Sequence, residues 1–494
     1  MPTYLDLTLP GEKDWLEYDA NGKILIRNVS HDSYRNYWNV SKTAKEGIYI
    51  NPAVAIPLDM NKIKQEIPFE EIEKNEALYG KLSIQSMQDP VANLHWDWLR
   101  FIDSSVFAPA ANAWNKSKNS FKGTNVKPQY THHLYGTRPY NDFWEEEFRR
   151  LKYGYEPIVD GKPCGIRISG EFYFYLNYSQ MKKTERLPNG KEEEVIGFPN
   201  FTAMDYYWFR ELEARENPQY YGLDQEYKRS ISCTKTRRAG FSYKEAAGCV
   251  HLMITEKGVR IAIASAPDTK KTDAALAAAK CLPILDHLSM YTPFGITELG
   301  DPKGNGGWKN EVHNITNTFV ELKLGYINTK TKQKEGRGSS LITLSLSKDD
   351  AASGEGLRRV YFEEAGKISN LDKAWAFTRE SLKAGALFKG IAVIFGTGGE
   401  MVSGTGKEGS SRPFSRMHYN PEANEIAAFE NIYEYKQEAT SKCGYFVSSL
   451  WCHFGGQVRL GGKTYDAVDA QGNANFWVAE LCLNKDRFDK RSEE

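Results

Sequence analysis

An α/β fold, with a mostly parallel central sheet flanked by helices, is what the middle of this chain predicts. Three observations carry that expectation. Between residues 228 and 400, short apolar runs alternate with helical patterns, the βαβ signature of a parallel sheet. One run ends in a basic, glycine-containing turn, Cys233-Thr-Lys-Thr-Arg-Arg-Ala-Gly-Phe-Ser. Another, Arg359-Val-Tyr-Phe-Glu-Glu, delivers two adjacent carboxylates to its C-terminal end.

The elements follow in chain order. Asn21-Gly22 before Lys-Ile-Leu-Ile-Arg is a hairpin signal. Leu94, Trp98, Leu99 and Ile102 recur at helical spacing within 93–114. Residues 1–139 are otherwise irregular and form an N-terminal region. From Tyr140 an Asn/Asp cap, early acids and later bases predict a helix. Residues 157–200 read as a β-rich meander, with turns at Asp160-Gly161 and Asn189-Gly190 and strands over 165–169 and 171–178. An aromatic-rich helix is expected over 201–216. Strands are then predicted at 228–234, 259–265, 318–327, 339–347 and 359–364, with a strand from 389 closing the sheet. Helices are predicted over 242–255, 269–285 and 371–385. Residues 140–400 thus form the expected main domain. Residues 401–494, rich in Gly and Ser and ending in a charged tail, are expected to be a lid or linker subdomain.

Composition narrows the class. The 494 residues carry 64 Lys+Arg and 64 Asp+Glu, so no global basic field points to a histone-like or coating protein. No run approaches eighteen apolar residues and the first residues lack a basic, then apolar, leader pattern. Neither a transmembrane helix, a signal peptide nor a membrane partner is expected. The seven cysteines are scattered without a C-x-x-C pair, which favours reduced thiols over a disulfide framework or zinc knuckle. His132-His133 reads as a loop or surface feature rather than a ligand set.

The basic turn and the paired acids carry the chemistry. A strand end, a loop with a glycine and a lysine, and a Ser opening a helix supply backbone N–H groups, an ammonium and a hydroxyl. Those are the parts that grip β/γ-phosphates and Mg²⁺ in a P-loop. The strict G-x-x-x-x-G-K-[ST] pattern is absent: only Gly240 stands for its glycines, and the lysine, Lys235, leads the loop. Alone, this segment also fits a basic surface turn. Paired with an apolar strand ending in Glu363-Glu364 about 120 residues later, it favours a nucleotide site, because such acids hold Mg²⁺ and polarise a water against a γ-phosphate.

At these residues the chain resembles the large terminase subunit of tailed phages, the DNA-packaging ATPase. Lys235-Thr-Arg-Arg-Ala-Gly-Phe-Ser is similar to that family's deviant Walker A, Val360-Tyr-Phe-Glu-Glu to its Walker B, and Ile394-Phe-Gly-Thr-Gly-Gly to its coupling motif. The order and spacing of all three agree over about residues 140–450. The resemblance implies a P-loop NTPase of the ASCE type that uses ATP and Mg²⁺. Cofactor binding would fall to Lys235, Thr236, Arg237, Arg238, Ala239, Gly240, Phe241, Ser242 and Thr397. Lys235 would contact the phosphates, Arg238 would sense or stabilise the γ-phosphate, and Glu364 would orient the attacking water. Ser242 and Glu363 would bind the metal, Glu363 standing where the family normally has Asp. Thr397 would couple phosphate loss to movement. Phe198, Phe201 and Tyr206 are candidates for an adenine platform, although an aromatic stripe on a helix is more often core.

The same resemblance implies double-stranded viral DNA, a portal protein, a small terminase subunit and a homo-oligomeric ring, expected to be a pentamer, as partners. It places the work in the host cytoplasm, transiently at the procapsid portal, and not in the mature virion. Lys330, Lys332, Lys334 and Arg337 lie on a connection that is either a DNA-contact loop or a solvated β-connection. Arg358, Arg359, Arg379 and Arg412 are candidate arginine fingers. Large terminases usually add an RNase H-like nuclease, which needs several converging carboxylates. Asp466, Asp469, Glu480, Asp486 and Asp489 lie in a segment too short for that fold, so no nuclease is expected. The alternatives are another P-loop translocase or helicase-like ATPase, and a non-catalytic structural phage protein with a degenerate P-loop.

Overall fold

Eight strands form one sheet: β1 (Ile231–Lys235), β2 (Arg260–Ser265), β3 (Asn314–Ile315), β4 (Val320–Ile327), β5 (Lys334–Ser345), β6 (Arg359–Phe362), β7 (Ile391–Thr397) and β8 (Tyr445–Val447). Their spatial order is β3-β4-β5-β2-β6-β7-β1-β8. The two pairings at the β3 edge are antiparallel, and the other five are parallel. The computed structural model describes residues 137–294, 314–397, 411–430 and 442–468 with short breaks. It also describes Tyr130, Val478, Ala479, Cys482 and four two-residue strand fragments before residue 122.

Period-two alternation sorts the central strands' side chains onto two faces. Ile261, Ile263, Tyr361, Val393 and Phe395 face one core. Ala262, Ala264, Val360, Phe362, Ala392 and Ile394 face the other. The first core is covered by α1 (Arg138–Tyr153), α2 (Gly170–Tyr178), α3 (Ala203–Glu216), α4 (Phe241–Thr255), α5 (Asp273–Ala279) and α6 (Cys281–Tyr291). The second takes Leu371, Ala374 and Trp375 from α7 (Leu371–Ser381), and Phe414 and Met417 from α8 (Ser411–Tyr419). A mixed α/β fold with a mostly parallel sheet between helices results, as the βαβ pattern predicts.

Several elements differ from expectation. Residues 171–178 form α2, not a strand, because all nine residues of the helix are buried and the apolar pattern loses its 3.6 period. Ser169 caps the helix, its Oγ accepting from the Phe172 N–H at 3.2 Å. Gly170 lets α2 cross α1: a Cβ there would lie 1.9 Å from the Leu151 carbonyl oxygen. The strand expected over 165–169 shrinks to a single bridge, Tyr155 to Ile168, among the described residues. The helix expected over 269–285 divides at Lys280, because Pro283 cannot continue the hydrogen bonding of α5 into α6. The strand from 389 lies inside the sheet, and β8, from beyond residue 400, stands at its edge. Met181–Arg186 pairs antiparallel with Glu192–Gly197, and Glu17–Tyr18 with Ile24–Leu25, while the turn residues Asn189-Gly190 and Asn21-Gly22 fall outside the described residues. The helix expected within 93–114, and His132-His133, fall outside the described residues.

Arg359, wholly buried at the start of β6, ties the sheet to two helices. Its Nη2 lies 2.7 Å from Glu171 of α2 and 2.6 Å from Glu216 of α3, and its Nη1 donates to the Tyr361 hydroxyl at 2.7 Å. Gly248 of α4 makes room, since a Cβ there would meet Glu171, Tyr361 and Arg359 within 2.6 Å. Arg358 adds contacts to Glu216 and Glu256, each at 3.1 Å. Both arginines are therefore structural, which corrects their reading as finger candidates. Arg359→Met should strand two buried carboxylates and lower stability by about 3–5 kcal/mol, read as a drop in the urea unfolding midpoint.

Candidate functional site

The C-terminal ends of three adjacent parallel strands, β1, β7 and β6, set the site. Register places Thr397 directly opposite Lys235, and Phe362 opposite Ile394, so the acids after Phe362 emerge beside the lysine-bearing strand end. Lys235 is the last residue of β1 rather than a loop residue. The turn beyond it reaches Gly240, whose φ of 72° lies in the left-handed region that glycine tolerates, and α4 starts at Phe241. The N-cap residue is Gly240 itself, which has no side chain to accept from the first N–H groups of the helix.

Side chains from the three strands and α4 meet here. Lys235 Nζ lies 3.0 Å from Glu364 Oε1, and Ser242 Oγ donates to Glu363 Oε1 at 2.7 Å. The sequence places these four residues in two motifs, and the fold brings them together. Three buried oxygens at this end, Glu363 Oε2, Glu364 Oε2 and Thr397 Oγ1, have no hydrogen-bond partner among the described residues. Buried polar atoms are normally satisfied, so the cluster is shaped for a group that supplies cations or donors. Glu364 itself sits at φ 49° and ψ 53°, a left-handed conformation that costs a non-glycine residue about 1–2 kcal/mol. Such strain is typical of positions held for function.

Other candidates are placed differently. Thr236 is half-buried, its N–H bonded to the Val447 carbonyl at 3.2 Å. Ala239 and Phe241 are buried, and Phe241 packs against Trp208 at 4.8 Å and Phe395 at 5.7 Å, so these two offer backbone rather than side chain. Tyr206 is buried against Phe172 and Tyr207, and Phe198 packs edge-on against His287. Tyr206 belongs to the core and half-buried Phe198 packs against it, which favours the core over the adenine reading. Arg337 lies within β5, buried with its guanidinium over the Phe148 ring, and is no loop contact. Asp466 accepts from Gln457 at 2.7 Å in an exposed hairpin. Arg379 pairs with Glu380 at 3.1 Å. Arg237, Arg238, Phe201, Gly398, Gly399, Lys330, Lys332, Asp469, Glu480, Asp486, Asp489 and the side chains of Lys334 and Arg412 fall outside the described residues.

The structure adds residues that the motifs did not single out. Lys244, buried in α4, lies 2.8 Å from Asp205 of α3 and donates to the Ala239 carbonyl, bracing the turn from behind. Glu245, one turn after Ser242, is buried against Glu363. Its signal was legible: Lys244-Glu245 puts two charges into an otherwise apolar helix. Burial, then the neighbouring Glu363 carboxyl, pushes the Glu245 acid well above the usual range. Burial also raises Glu363, with Glu364 adding to the rise, while Ser242 and Lys235 oppose it. A separate cavity of about 620 Å³, lined by Arg358, Glu216, Arg337 and His251 among others, opens near the start of β6, the end opposite the acids.

No protein-family profile matches this chain, and no curated protein matches it. Among solved structures it is similar to the large terminase ATPase domain of Thermus phage P74-26. One crystal form of that domain is 13% identical, over 37% of this chain and 69% of that one, with a TM-score of 0.22. An arginine-to-alanine mutant of the domain is 15% identical over 34% of this chain, with a TM-score of 0.24. The chain spans 59% of that mutant's length.

The raised acid of Glu363 gives a pH test. Its native form holds a proton more tightly than the unfolded chain, where a Glu titrates near about 4.3. Its stabilising contribution is therefore present below that value and lost as pH rises through the folded value. Glu363→Gln should gain thermal stability over the wild type, and the gain should be larger at pH 8 than at pH 4. Equal gains at both pH values would refute the assignment.

Proposed function

We propose that this chain is a P-loop ATPase that drives double-stranded viral DNA into a procapsid, the motor part of a terminase large subunit. The observation that carries the reading is the meeting of Lys235, Ser242, Glu363 and Glu364 at one sheet end, with three buried oxygens left unpaired. The strand order supports the ASCE type, in which an additional strand separates the two motif strands and a glutamate is catalytic. Here β7 lies between β1 and β6.

In this reading the turn after β1 and the first N–H groups of α4 receive the phosphates. Lys235 exchanges its Glu364 partner for β/γ-phosphate oxygens, which frees the Glu364 carboxylate to orient water and accept its proton. Ser242 and Glu363 would hold Mg²⁺, which neutralises charge on the phosphate oxygens when bound. The residues fit that ion: a hydroxyl and a carboxylate are hard oxygen donors, and Glu363 keeps one oxygen unpaired. Thr397, opposite Lys235 in register, would feel loss of the γ-phosphate. Arg238 would sense the γ-phosphate, and Thr236 and Arg237 would line the turn.

The motor would act as a homo-oligomeric ring, a pentamer, with portal protein and small terminase subunit as partners. It would work in the host cytoplasm, transiently at the procapsid portal, and be absent from the mature virion. We assign residues 140–400, together with α8 and β8 from beyond residue 400, to the ATPase domain, and the rest of 401–494 to a lid or linker. DNA-stimulated ATP hydrolysis by the assembled ring should fall about 10²-fold or more in Lys235→Ala and in Glu364→Gln. Equal turnover in the wild type and both variants would sink the motor reading.

A further inference from the structure

Two successive peptides at the junction of the turn and α4 have their carbonyls held by α4 itself. The Gly240 carbonyl accepts from the Tyr243 and Lys244 N–H groups at 3.0 and 3.1 Å, so it points into the helix. In a planar trans peptide the N–H lies opposite the carbonyl, so the Phe241 N–H points out of the helix. The Ala239 carbonyl accepts from the Lys244 side chain, Nζ donating. By the same geometry the Gly240 N–H is turned away from Lys244. Ala239 is buried and Gly240 only half-buried, so that direction is the open side of the turn. Left-handed Gly240 followed by helical Phe241 thus sets successive N–H groups side by side, the nest arrangement that receives anions. Among the described residues, no backbone carbonyl accepts from either of these N–H groups.

The turn does not hold the first of these peptides by itself. Flipping it changes φ at residue 240, and glycine takes either sign of φ about equally readily. The restraint has to come from outside, and Lys244 supplies it. Its side chain is almost fully buried, with Nζ 2.8 Å from Asp205 Oδ1 and 5.1 Å from the centre of the Phe241 ring. A Cβ on Gly240 would stand 3.3 Å from Nζ, so the lysine packs directly beneath the glycine. Asp205 is itself fixed, because Thr202 caps α3 with its Oγ1 accepting from the Asp205 N–H at 3.2 Å.

We propose that Lys244 is a positioning residue for nucleotide phosphates: by holding the Ala239 carbonyl toward the core, it presents the Gly240 N–H to a phosphate oxygen. The inference rests on the nucleotide-site reading above. Its ligand class is a nucleoside diphosphate or triphosphate. In the flipped turn a carbonyl oxygen would face the phosphates and one donor would be lost. A hydrogen bond to a charged group is worth about 10-fold or more in affinity.

The test is binding of MgADP to the full chain, by calorimetry and by amide NMR with ¹³C-carbonyl alanine and ¹⁵N-glycine. That labelling selects Ala-Gly peptides, among them Ala239-Gly240 and Ala247-Gly248. Lys244→Met combined with Asp205→Asn removes the donor without stranding a buried carboxylate, and thermal melts check its folding. This paired variant should bind MgADP about 10-fold or more weakly. In the wild type the Gly240 amide proton should move downfield on saturation with MgADP. In the paired variant it should not, with the Gly248 signal retained as the mark of an intact α4. Wild-type affinity in the folded paired variant would overturn the proposal. So would a wild-type Gly240 amide that ignores bound MgADP, a result that depends on no variant folding. Lys235→Ala separates the two readings. If it weakens MgADP binding while the paired variant does not, only the positioning role fails. If the wild type binds no MgADP, the nucleotide site fails and the positioning role with it.

Discussion

A guanidinium with no access to water has to be matched by fixed negative charge, and Arg359 is matched twice, by Glu171 and Glu216. That requirement determines much of the packing around it. Glu171 opens α2 and Glu216 closes α3, so two helices are docked at set positions against the start of β6. The third layer, α4, passes close enough only because Gly248 has no side chain. Burial lowers the effective dielectric and strengthens each of these contacts, while making the loss of any partner expensive. With β6 fixed at its start, the parallel ladder carries its far end to a fixed place as well, and there the chain presents Glu363 and Glu364.

The site is therefore the far end of a registered bundle of strands rather than a feature of one loop. Lys235 and Thr397 face each other because β1 and β7 are neighbours, although 162 residues separate them in sequence. Behind the turn, Lys244 and Asp205 form a buried pair that holds the Ala239 carbonyl from below. A lysine in front and a lysine behind give the turn one charge available for a ligand and one committed to structure. The front lysine is already paired with Glu364, so both groups have their charge balanced before any nucleotide arrives.

Much of this was legible in the sequence, and the limits have physical causes. The βαβ alternation and the two motifs located β1, α4 and β6 because each motif is local and its strand is strongly apolar. The aromatic run in α2 was read as a strand because a helix buried on every side shows no 3.6-residue pattern, and aromatics favour strands in general. Pro283 was an available sign that 269–285 could not be one helix. Arg358, Arg359 and Arg337 looked like free cations because sequence shows charge but not its partner: Glu216 lies more than 140 residues from Arg359. Glu245 was passed over for the same reason, since its meaning depends on Glu363 across the helix–sheet interface.

Glu364 keeps a backbone conformation that glycine or asparagine would adopt with less strain. Fold stability and the placement of this carboxylate thus pull in opposite directions at a single residue. Directed evolution for heat resistance alone would be drawn to replace Glu364, gaining melting temperature while removing the carboxylate. Libraries built on this scaffold need selection on turnover, because a thermal screen by itself would enrich variants without that group.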